Sequence, residues 1–164
     1  MRVNIDQFFA RYANAEYRNG LYIPEDIWCQ RNSSFLLGET EMEIPDDTYE
    51  IIEMNRHKQE TYDKHYSDIR FLALSGMQSE SEENIDEAIA RYAEAIELGE
   101  SCEENLLHAY HHAYNRIIIL LSRTRAYLRE ASYIELLLRH ELQDSERARL
   151  TARLEKTKLK IKKI

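Results

Sequence analysis

The residue types with the widest chemical reach gather between Cys102 and His112. On a helix His108 and His112, four apart, share a face, and Glu104 lies one turn before His108. Thiolate, imidazole and carboxylate are the donors zinc uses, so a metal-dependent activity at the histidine pair is one reading of this segment. A zinc site needs three or four converging ligands, whereas Ala113 and Tyr114 follow the pair and His111 points away from it. Two histidines on a helix otherwise given to Tyr and Leu fit the polar edge of a core better, and the reading assigns neither a metal nor a cofactor.

Acid-base chemistry finds less support. No carboxylate pair sits in an apolar setting that would split two pKa values, and runs such as Glu80, Glu82, Glu83, Asp86 and Glu87 read as a solvated surface. The chain has no nucleophile elbow, no phosphate-binding glycine loop and no HExxH, so it is expected not to be an enzyme. Residues 1–104 carry 24 acids against 9 bases and residues 105–164 carry 6 against 13, which divides the charge strongly along the chain. The basic end holds Arg147, Arg149, Arg153, Lys156, Lys158, Lys160, Lys162 and Lys163. Spacing of two spreads its lysines around a helix, and no aromatic lies between them for stacking, so nucleic-acid contact there would be non-specific. The acidic part carries the alternative of an inhibitor that imitates nucleic acid and blocks a protein that handles it.

Only four Gly and two Pro among 164 residues, with abundant Ala, Leu, Glu, Arg and Ile, predict an all-α fold. The length suits a single domain with a core of its own. Cys29 and Cys102 have no CxxC partners and read as reduced thiols. No apolar run is long enough for a membrane span, and Asp6 and Glu16 interrupt any leader-like stretch, so the expected setting is cytoplasmic with no membrane partner.

Periodicity predicts a helix from Ile5 to Tyr17, an irregular cap to residue 45 in which Pro24, Glu25 and Asp26 open one turn, and a long helix from Pro45 to Leu74 ended by Gly76. Asn84 and Glu87 form a capping box for a helix closed by Gly99. Helices over 103–122 and from Tyr127 to Leu138 make a hairpin, the first of them buried on a broad face. From Asp144, Leu150, Leu154, Thr157, Ile161 and Ile164 form a heptad seam, which serves a capping helix over the last hairpin or, less well, a weak homodimer. The parts are thus 1–45, 46–142 and 144–164.

On the helix after Asn84, Ile85, Ala88, Ile89, Tyr92, Ala95 and Ile96 alternate small and large along one face. With Ala88, Tyr92 and Ala95 so placed, the segment resembles the second helix of a tetratricopeptide (TPR) repeat. The resemblance extends over two units, residues 57–98 and 105–140, and implies an antiparallel helical array with two TPR-like hairpins and a C-terminal capping helix. It also implies a non-enzymatic adaptor that binds a protein partner on the first helix of each hairpin. The contact residues this nominates are Tyr62, His65, Tyr66, Arg70, His108, His111, Asn115 and Arg116, with Arg116 pairing a partner's carboxylate.

Overall fold

The shortage of turn-makers is realised as a chain 77% helical, described by a computed structural model over residues 1–163. The order is β1 (Arg2–Asn4), α1 (Ile5–Tyr12), a 3-10 segment (Ala15–Gly20), α2 (Glu25–Leu36), β2 (Glu41–Glu43), α3 (Thr48–Ser81), α4 (Ile85–Ser101), α5 (Leu107–Arg123), α6 (Tyr127–Leu138) and α7 (Asp144–Lys162). Two compact units form, Met1–Asp63 and Lys64–Ile164, and their boundary falls inside α3.

In the first unit β1 and β2 pair antiparallel, with Val3 opposite Met42. Phe8, Phe9 and Tyr12 on α1 meet Ile27 and Ile52 in a core with Trp28 and Tyr49 packed against it. Helix α1 stops at Tyr12, not Tyr17, because the Asn14 side chain accepts a hydrogen bond from the Tyr17 amide at 3.2 Å and starts a new turn. Pro24, Glu25 and Asp26 do open a helix, but α2 runs twelve residues. Its only fully buried members are Ile27 and Ser34, so it lacks the apolar period that would have revealed it.

In the second unit each helix packs on the next: α4 on α5, α5 on α6, and α6 on α7. Tyr110, Tyr114, Ile117, Leu120 and Leu121 make α5 the buried centre. The α4 face is buried at Ala88, Ile89, Tyr92, Ala95 and Ile96. Helix α7 turns Leu150 and Thr157 into its contact with α6, which places it as a cap; Ile164 of the expected seam lies outside the described residues. Thr157 belongs in that seam for a polar reason. Its hydroxyl reaches Glu130 Oε1 at 3.2 Å, and Arg153 Nε donates to the same oxygen at 3.1 Å, so a 1% exposed carboxylate on α6 is held by two α7 side chains.

Two helix ends differ from expectation. Gly76 lies inside α3, and Gly99 lies inside α4. Each is a small residue against a tyrosine ring: a Cβ on Gly76 would meet Tyr92 Cδ1 at 2.7 Å, and one on Gly99 would meet Tyr110 Cζ at 2.8 Å. Helix α3 ends instead at Glu83, with φ +60°, where the Asn84 amide donates to Ser79 O and the Glu83 amide to Glu80 O. Arg125, φ +59°, closes α5 with the same pair of bonds, from Ala126 N to Leu121 O and from Arg125 N to Ser122 O. These are Schellman ends built without glycine. Gly99→Ala is expected to destabilise the fold by roughly 1–3 kcal/mol despite alanine's better helix propensity, because the buried Tyr110 ring has to move; urea denaturation followed by circular dichroism measures it.

Candidate functional site

Five of the eight nominated residues form contacts around the start of α5. The Tyr66 ring on α3 stacks on His108, with centroids 5.4 Å apart and planes 29° from parallel. His65 Nδ1 lies 3.3 Å from Glu104 Oε2. The Asn115 amide donates to His111 Nδ1 at 3.4 Å, which leaves His111 Nε2 to donate to Glu146 Oε1 at 2.5 Å. A shallow cleft lined by Asn105, His108, His111, Leu142 and Glu146 lies between this end of α5 and the start of α7.

The other three lie elsewhere. Tyr62 is half-buried in the first unit. Arg70 is exposed on α3. Arg116 is engaged within the second unit: Nε donates to Glu80 Oε1 at 3.0 Å and Nη2 to Oε2 at 2.6 Å, while the Tyr92 hydroxyl donates to Oε1 at 3.1 Å. Glu80 is therefore not part of a solvated acidic run. The Arg116 hydrogen bonds hold its carboxyl below the usual range, against partial desolvation, and the Tyr92 hydroxyl adds to them. A second carboxylate repeats the device one helix later, where Glu100 Oε1 accepts from the Tyr114 hydroxyl at 2.6 Å and from His140 Nε2 at 2.6 Å.

Metal-ligand donors converge elsewhere than at the pair His108 and His112. Among the described residues the trio that comes together is His65, Cys102 and Glu104, all half-buried, with their ligand atoms within 4.8 Å of one another; His112 is exposed. Cys102 follows α4 in an extended conformation (φ −76°, ψ 141°), and its thiol donates to Leu98 O at 3.2 Å. Burial, and then the charge of Glu104, push that thiol up. Glu104 is lowered first by its own backbone N–H and, against partial desolvation, by His65. Spacing alone places Cys102 beside Glu104; His65 is 39 positions from Glu104, and only the fold brings it in.

Exposure marks a different surface. Phe71, Leu74 and Met77 are 70%, 50% and 44% exposed, at spacings of three along α3, while Ile69, Ala73 and Gly76 bury the opposite side. In the first unit Phe35, Leu36 and Leu37 stand in solvent at the end of α2. Periodicity assigns Ile69 and Ala73 to the inner face of α3, and both are buried; the apolar residues Phe71, Leu74 and Met77 fall outside that face.

The basic end is partly used within its own unit. Arg147 donates to Leu138 O and His140 O, Arg153 pairs Glu130, Lys158 pairs Glu135 at 3.7 Å, and Lys160 lies over the Tyr127 ring. No helix among the described residues is long and apolar enough to cross a membrane. The chain matches no known protein-family model, no curated protein and no solved structure.

Two consequences are measurable. Desolvation, helped by Glu80 or Glu100, raises the phenolic pKa of Tyr92, Tyr110 and Tyr114 above the ordinary 10.0. The unfolded chain sheds these protons near pH 10 while the folded chain keeps them, so the stability they carry is complete below about pH 10 and falls above it, by at most about 1.4 kcal/mol per pH unit for each ring. Urea midpoints, followed by the helical circular-dichroism signal, are expected to hold level to about pH 9.5 and then drop. Arg116→Leu leaves Glu80 without its cation and is expected to cost about 1.5–3 kcal/mol, read by urea denaturation at neutral pH.

Proposed function

We propose that the protein is a non-enzymatic protein-interaction module that takes its partner on the outer face of α3. The observation that carries this is the stripe of Phe71, Leu74 and Met77 on the side of the helix turned away from the second unit's core. A soluble helix normally gives that side to charged and polar residues, and each large apolar side chain fully buried by a partner contributes about 1.5–3 kcal/mol. Arg70, exposed on the same helix, supplies the cation for a partner's carboxylate, the part first given to Arg116, whose guanidinium is taken by Glu80. The reading agrees with the TPR resemblance, whose members bind through the first helix of each hairpin, and with the absence of catalytic motifs in the sequence.

The test is affinity capture from a nuclease-treated lysate with the native chain and with a Phe71→Glu, Leu74→Glu double variant. Both positions face solvent, so the variant is expected to keep its stability to within about 0.5 kcal/mol. A defined protein held by the native chain and lost with the variant supports the proposal. An unchanged set of captured proteins sinks it, and capture that vanishes with nuclease assigns the binding to the basic end instead.

A further inference from the structure

We propose that His65, Cys102 and Glu104 form a binding site for a divalent transition-metal ion of the zinc type. The site does not depend on the α3 stripe or on a protein partner. Cys102 and Glu104 lie two apart in the bend where the chain leaves α4, and their ligand atoms come within 4.8 Å of each other and of His65. His65 meets them from α3, and its Nδ1 stands 3.3 Å from Glu104 Oε2. In a tetrahedral zinc site with bonds of about 2.0–2.3 Å, neighbouring donor atoms lie about 3.3–3.6 Å apart. The nitrogen and oxygen already have that spacing, and with all three ligand atoms within 4.8 Å of one another the sulfur needs to close by no more than about 1.5 Å.

The donor chemistry agrees. Thiolate and imidazole together select zinc and its neighbours over magnesium or calcium, which prefer oxygen alone. One thiolate and one carboxylate neutralise a dication, so the half-buried site is electrically neutral once the metal is bound and the thiol proton has left. On binding, the Cys102 S–H bond breaks and its proton passes to solvent while a metal–sulfur bond forms. The imidazole binds through Nδ1 and keeps its proton on Nε2, and Glu104 exchanges its contact with His65 for one to the ion. Three protein donors leave a fourth position for solvent.

The test titrates the full metal-free chain with Co²⁺ and then displaces it with Zn²⁺. Expected are one equivalent of Co²⁺ per chain with a near-ultraviolet thiolate-to-cobalt band, and loss of that band on adding Zn²⁺. Cys102→Ser should abolish the band, His65→Ala and Glu104→Gln should each weaken binding at least about tenfold, and Cys29→Ser and His112→Ala should leave it unchanged. Circular dichroism confirms that each variant is folded. No band in the native chain overturns the proposal whatever the variants do. So does a band that survives Cys102→Ser, one that is lost with Cys29→Ser, or binding that is indifferent to His65→Ala.

Discussion

Tyrosine rings laid against helix backbone set the spacing of the second unit. Tyr92 on α4 rests on Gly76 of α3, and Tyr110 on α5 rests on Gly99 of α4, each at a distance that any side chain on the glycine would forbid. A ring that lies so close has nowhere to send its hydroxyl except along the neighbouring helix. Tyr92 finds Glu80 four residues beyond Gly76, and Tyr114, one turn after Tyr110, finds Glu100 beside Gly99. The carboxylates are then satisfied in turn, Glu80 by Arg116 and Glu100 by His140. The buried phenols of Tyr92 and Tyr114 thus have anchored acceptors. The result is the same joint made twice between successive helices.

The first unit is organised on another plan. Its rings pack on one another: Phe8 edge-on to Phe9 and Tyr12, Phe9 against Trp28, Tyr12 edge-on to Tyr17. Arginines cover the rim, Arg31 over Phe9 and Trp28 and Arg11 over Tyr49, so aliphatic stems and guanidinium planes close a core that a short chain segment leaves partly open. Trp28 gives its indole N–H to Gly20 O, and Tyr17 gives its hydroxyl to Glu53, so the aromatic cluster also fixes the path of the irregular segment between α1 and α2.

What the sequence made legible was the part governed by periodicity. The buried faces of α4 and α5, the α6 helix and the Asn84 cap could all be read, and the cap is present with Asn84 Oδ1 accepting from the Glu87 amide. What misled was glycine as punctuation. Gly76 and Gly99 look like helix stops, but here glycine serves a neighbour's ring; α3 ends at the left-handed Glu83 and α4 at the extended Cys102, neither of them a glycine. Helix α2 and the three-residue strands were hidden for a related reason, since segments with only one or two buried positions show no period. In the cluster of His65, Cys102 and Glu104, sequence spacing brings Cys102 and Glu104 together, whereas His65 arrives through the packing of α3 and not through proximity in the chain.

The same limit explains why charge was the hardest feature to read. Composition shows how many arginines and glutamates there are but not where each is engaged. Arg116, attractive as a ligand-binding cation, holds Glu80; Arg153 holds the buried Glu130; Arg147 closes the link before α7. An ion pair of this kind fixes the relation of two helices because each buried partner is costly to leave alone, and it withdraws both charges from the surface. Internal pairing therefore removes the residues that sequence reasoning ranks highest, and what remains for recognition is what the fold leaves uncompensated. On α3 that remainder includes an apolar stripe, for Phe71, Leu74 and Met77 are exposed where Ile69 and Ala73 on the other side of the helix are buried. Water is the environment these side chains are least suited to, so a partner that covers them gains binding energy without any rearrangement of the helix that presents them.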